Sequence, residues 1–231
     1  MATWVTHLII ADKLLERFDL DRRGFCVGSI APDCNIENDD WTAFTPPRET
    51  THFMSGKHKT FSDCENFRRE YLTNPDKSER FSFLLGYYSH LLTDVAFQNM
   101  IRDEKRVENV WSRLMKSSLA SQAATLPRTF SSIKQLIPKE NREREFEYLE
   151  YLYLREHPDS GYITEILPLQ HFPDYLDFLP HGAITRKVKM MSVPKSDPAK
   201  LIFISKSEFA TFISDTVTLI SEKLELVPET V

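Results

Sequence analysis

The chain has 231 residues, 29 Lys and Arg against 34 Asp and Glu, a net charge of −5, 41% hydrophobic positions and only 6 Gly. Its length allows one sizeable hydrophobic core without disulfides. A glycine content far under the roughly 7% of average proteins argues against glycine-rich phosphate loops, tight hairpins and barrels, and the acidic balance argues against a protein that grips duplex DNA through many phosphates.

The opening segment, Met1 to His7, lacks the basic region and long apolar stretch of a secretory signal. No apolar run approaches the roughly 18 residues of a membrane-spanning helix, so the expectation is a cytoplasmic protein with no transmembrane segment. Residues 6–18 carry Leu8, Ala11, Leu14, Leu15 and Phe18 at helical spacing. A second short helix is expected over 22–30, closed by Pro32, because the residue before proline disfavours the α region. Residues 34–56 lack periodicity and hold several Asn, Asp and Pro, which predicts a long loop of the kind that usually carries function. Helical pattern returns over 60–72. Residues 78–103 then form the most apolar helix candidate, with Ser78 as its N-cap and apolar residues nearly all round, the signature of a helix in the middle of a bundle. Charged helices follow at about 104–123 and 141–156. Proline-rich residues 157–198 read as turns and short helices, and a last amphipathic helix spans about 206–226 behind the Ser205/Glu208 capping box. The fold class expected is all-α: a single-domain multi-helix bundle over 1–231, with its motifs within about 1–115 and further helices packed on it over 116–231.

Polar residues interrupt this apolar pattern. His90 and Asp94, four apart, share one face of the central helix. A single hydrogen-bonded core pair is one reading of them, and it predicts a metal-free bundle. Asp33 after Pro32, His52 at the close of the long loop and His7 on the first helix extend the pair to a nitrogen and oxygen set that suits Zn²⁺, and also Mn²⁺ or Fe²⁺. Cys26, Cys34 and Cys64 are three, with no Cys-x-x-Cys, so neither a cysteine-type structural zinc site nor a disulfide framework fits. Tyr87, one turn before the His90/Asp94 face, and Gln98, one turn beyond, are candidates to support such a site, although Tyr87 reads equally as plain core. Trp41 stands in an acidic loop tip that reads most simply as solvated with one packed aromatic; its functional version is a lid over the metals, with Trp41 against a substrate. His58, His157, His171 and His181 read as solvated or capping residues. The chain has no adjacent His-Asp doublet, no H-E-x-x-H and only one E-x-x-H, which disfavours HD-type phosphohydrolases, zinc metalloproteases and ferritin-like di-iron sites.

Gly28-Ser29-Ile30-Ala31-Pro32-Asp33, Thr51-His52-Phe53 and Gly86-Tyr87-Tyr88-Ser89-His90-Leu91-Leu92-Thr93-Asp94, with Thr6-His7 before them, resemble the zinc-dependent phospholipase C family, whose all-α fold is shared with zinc single-strand nucleases. The resemblance covers roughly the first half of the chain and rests on the ordered combination His…Pro-Asp…His…His-x3-Asp. It implies that Asp33, His52, His90 and Asp94 bind one zinc, and that Asp94 bridges to a second held by His7. It further implies a hydrolase acting on a phosphoester, such as a small molecule or a lipid headgroup, through a metal-bound hydroxide, with Asp33 carrying catalysis. Two departures stand out. Trp4 is not terminal, whereas secreted relatives use the free amine of an N-terminal Trp. Nothing after Asp94 supplies the second His and H-x3-E/D pair of the family's further zinc site, so one or two zinc ions are expected and the third group is expected to be missing. A non-enzymatic metal-binding scaffold, using the long loop for a partner, is the alternative that this departure leaves open.

Overall fold

The computed structural model describes residues 2–40, 42–54, 61–190, 194 and 200–227, so Trp41 and His58 lie outside the described residues. Helix α1 runs Trp4–Leu15 behind a Thr3 cap, and α2 runs Arg22–Gly28 behind an Asp21 cap. Pro32 stands inside a tight 3-10 turn, Ala31–Asp33. The next segment is less irregular than its composition predicts: β1 (Ile36–Glu37) pairs antiparallel with β2 (Phe44–Thr45), and a short helix α3 (Arg48–Thr51) follows Pro47. Two-residue strands are too short to leave an alternation in sequence. Helix α4 is Cys64–Tyr71, and α5, Glu79–Arg102, begins at its Ser78 cap as the sequence predicts.

Helix α6, Glu104–Leu114, stops earlier than its charge pattern suggests. The Ser117 hydroxyl donates to the Leu114 carbonyl and accepts from the Leu119 N–H, offering the backbone a turn in place of another helical rung. Helices α7 (Ala120–Ala123), α8 (Phe130–Leu136) and α9 (Lys139–Glu156) follow, α8 being a helix the sequence pattern did not reveal. After a π turn at Tyr162–Ile166 come α10 (Ala183–Val188) and α11 (Lys206–Glu225), the last carrying the Ser205/Glu208 capping box. Among the described residues the fold is all-α apart from one small hairpin. No described helix is long and apolar enough to cross a membrane.

Helix α5 is the axis, buried on nearly every face from Phe81 to Asp94. Its closest neighbour is α2. A Cβ added at Gly86 would stand 2.2 Å from the Phe25 carbonyl oxygen, and one at Gly28 would stand 2.0 Å from that of Phe83. The two helices therefore touch backbone to backbone, which only glycine permits. That contact delivers the C-terminal carbonyls of α2 to the polar face of α5. Beside it, the Tyr87 ring stacks on Phe67 at 4.8 Å, and Phe53 and Phe178 pack edge-on against Tyr87.

Candidate metal centre

Four structural elements bring His7, Asp33, His52, His90 and Asp94 together. His7 comes from α1, Asp33 from the end of the 3-10 turn, His52 from the C-cap of α3, and His90 and Asp94 from α5. All three histidines and Asp94 are buried, and Asp33 is nearly so. Two groups have donor atoms close enough to share an ion: His7, His90 and Asp94, and Asp33, His52 and His90.

Each imidazole is oriented by what lies behind it. His90 Nδ1 stands 2.9 Å from the Ser29 carbonyl oxygen, which can only accept, so the proton is on Nδ1 and Nε2 carries a lone pair. Burial, and then the neighbouring His7, push the His90 pKa down to about 3, so the ring is neutral at ordinary pH. The Thr51 hydroxyl donates to the Arg48 carbonyl, so it accepts from His52 Nδ1 at 2.9 Å and leaves the His52 Nε2 lone pair facing inward. These two Nε2 atoms stand 3.4 Å apart, with Asp33 Oδ1 3.3 Å from that of His52. Lone pairs and a carboxylate oxygen thus converge on one point, an arrangement that repels unless a cation lies among them. His7 stacks on His90 with ring centres 3.8 Å apart, and neither of its buried ring nitrogens has a hydrogen-bond partner. An imidazole left unsatisfied in this way is costly, and its Nε2 is 3.6 Å from Asp94 Oδ1. Neutral imidazoles and carboxylates are the donors zinc takes, so the residues present fit the metal.

The carboxylates are held ionised. Burial alone would raise both, but the His52 and His90 imidazoles and the Arg48 guanidinium around it take Asp33 far below the usual carboxylate range. For Asp94, burial again acts to raise the pKa, but the neighbouring His7 and His90 together take it well below the usual carboxylate range. The Trp4 indole N–H donates to Asp33 Oδ2 at 3.1 Å, and the Ala2 N–H donates to Asp94 Oδ1 at 3.1 Å. The Arg48 guanidinium donates to Asp94 Oδ2, also at 3.1 Å. Tyr87 donates to the Thr51 carbonyl and so holds the strand of chain that carries His52. Directly after His52, Phe53 adopts φ +51°, a left-handed conformation that costs a bulky residue roughly 1–2 kcal/mol. Its ring is clamped by Phe67, Tyr71 and Phe178.

Gln98 does not reach the cluster: its side chain accepts from Arg102, four residues on. His157 stacks on Tyr153 and bonds its carbonyl, and exposed His181 pairs with Asp174, so neither joins the cluster. Trp4, Ser29 and Arg48 are the residues that sequence reasoning missed. The usable signals were spacings: Trp4 and His7 lie three apart and Arg48 and His52 four apart, each pair on one face of a helix. Ser29 contributes only its main-chain carbonyl, which leaves no mark in a side-chain pattern.

A cavity of about 790 Å³ opens beside the cluster, lined at that end by Trp4, Asp33 and Arg48. Helix α5 continues along it through Phe97 and Ile101, and Phe146 and Phe203 supply apolar wall from later in the chain.

Residues 6–97, which include all five cluster residues, match the family model described as zinc dependent phospholipase C. Searches against curated proteins and against solved structures gave no match. Segment 6–97 is thus similar to the zinc-dependent phospholipase C family, and its His/Asp groups fit the zinc-dependent, hydrolase-like character that the family's description carries.

Proposed function

We propose that the protein is a zinc-dependent phosphoester hydrolase whose metal is held by His7, Asp33, His52, His90 and Asp94. The observation that carries this reading is the convergence of the His52 and His90 Nε2 lone pairs and an Asp33 oxygen within 3.4 Å, beside an unpartnered His7. Zinc bound there supplies Lewis acidity toward phosphoryl oxygens and makes water more acidic. The chain's own residues do the rest. His90 and His52 are kept in the tautomers that leave Nε2 free. The Trp4 indole fixes the rotation of the Asp33 carboxylate, which carries catalysis in this reading, and Arg48 and the Ala2 N–H fix that of Asp94. The adjoining cavity, with apolar wall from Phe97, Ile101, Phe146 and Phe203, accepts the organic part of the ester, whether a small molecule or a lipid headgroup.

The test is metal content. Purified wild type is expected to retain zinc through dialysis, and His90→Ala at least an order of magnitude less. Equal zinc in the two proteins, or none in wild type, overturns the proposal. Asp33→Asn is expected to abolish zinc-dependent turnover of generic phosphomono- and phosphodiesters.

A further inference from the structure

Arg48 brings a guanidinium into direct contact with the cluster. It opens α3, one turn before His52, so the same short helix delivers both side chains to one face. Nη2 donates to Asp94 Oδ2 at 3.1 Å, and the side chain, 32% exposed, lines the cavity beside Trp4 and Asp33. A guanidinium has five N–H donors in a planar fork, so the bond to Asp94 leaves others for a ligand in that cavity.

Two further observations bear on how many cations the cluster can hold. The two groups of candidate ligands share His90. Its Nδ1 is committed to the Ser29 carbonyl, so one nitrogen serves both. Asp94 is likewise occupied. Its Oδ1 takes the Ala2 N–H and faces His7, and its Oδ2 takes Arg48 and lies 3.8 Å from His52 Nε2. A second metal on Asp94 Oδ2 would stand directly against the guanidinium, cation beside cation. Charge then decides what Arg48 is for. One divalent ion is balanced by the two carboxylates, Asp33 and Asp94, so at the cluster itself the positive charge left over is that of Arg48, in a cavity that Lys134, Lys139, Arg142 and Lys187 also line. Arg48 restores a positive charge at the mouth of the site, with the fork geometry that matches phosphoryl oxygens.

We infer that Arg48 is a phosphoryl-binding residue, acting as the second cation of a site that holds a single metal ion. This deepens the proposed function and rests on its metal reading. A purely structural arginine, present only to neutralise Asp94, would not touch the ligand.

The experiment uses zinc-loaded full-length protein, with inorganic phosphate as the probe, for wild type, Arg48→Lys and Arg48→Gln. Zinc per chain is measured by elemental analysis and phosphate affinity by calorimetry, with circular dichroism to confirm that each variant is folded. The expected result is one zinc per chain in all three proteins. Phosphate binding should weaken by about tenfold or more in Arg48→Gln, the loss of one charge-assisted contact, and by less in Arg48→Lys, which keeps the charge and loses the fork. Two or more zinc ions per wild-type chain would overturn the inference. So would phosphate affinity in fully loaded Arg48→Gln within about twofold of wild type, or loss of zinc from that variant, since either makes Arg48 a support for Asp94 alone. Absence of zinc from wild type is the distinct failure of the metal reading beneath it.

Discussion

Tyr87 illustrates how a core residue and a site residue can be the same side chain. Its ring is wholly buried among Phe67, Phe53 and Phe178, while its hydroxyl ends on the Thr51 carbonyl beside His52. Tyr87→Phe keeps the ring packing and leaves that buried carbonyl short of a donor, so chemical denaturation should show a loss of about 1–2 kcal/mol. If His52 binds metal, competition with a chromophoric chelator should also show zinc affinity falling by about tenfold, the scale seen when a group behind a metal ligand is lost. The five polar residues of the cluster were legible in different ways: His7, His90 and Asp94 stand on apolar helices, Asp33 follows a proline, and His52 was found by its place at the close of the long loop and by the family resemblance. Trp4 and Arg48 were not, since an aromatic near a helix start and an arginine in a polar loop break no pattern. Their roles exist only once α1 and α3 have been packed against α5.

At the scale of the element, α5 shows where pattern reading succeeds. A 24-residue helix with a Ser78 cap and apolar residues on every face declares its length and its central place at once. The hairpin β1–β2 and helix α8 declare nothing, being too short for a period to accumulate and specified by what they pack against. The contact of α5 with α2 sets local propensity against packing. Alanine is a better helix former than glycine by about 1 kcal/mol, so propensity alone predicts that Gly86→Ala stabilises α5. The Phe25 carbonyl 2.2 Å from that Cβ predicts the opposite. Overpacking costs on the order of 3 kcal/mol where backbone must move, and packing should win. Thermal melts of Gly86→Ala are therefore expected to show clear destabilisation. Because α2 would be pushed away, the Ser29 carbonyl should also retreat from His90, and the variant should bind zinc more weakly than wild type.

At the scale of the whole molecule, buried carboxylates tie distant parts of the chain together. Asp12 on α1 accepts from the Ser160 hydroxyl at 2.6 Å and the Gly161 N–H at 2.8 Å. Glu145 on α9 accepts the N–H groups of Phe203 and Ile204. Burial raises the pKa of both, against the lowering effect of those hydrogen bonds. A carboxyl raised in the folded state favours folding most below its unfolded value, 3.8 for Asp12, and that contribution is lost as pH rises through the folded value. Wild type should therefore lose melting temperature relative to Asp12→Asn as pH is taken from about 4 to 7, a difference that a pH series of calorimetric scans will read. These ties also determine how the later helices meet the earlier ones. The histidines and carboxylates of the cluster all lie between residues 7 and 94, inside the segment 6–97 that matches the family. Much of the cavity wall beyond Phe97, including Phe146 and Phe203, comes from the chain that follows. The candidate metal ligands and much of the cavity wall are thus encoded in consecutive stretches of the chain, so a substitution in the later stretch can change the shape of the cavity without touching a candidate ligand.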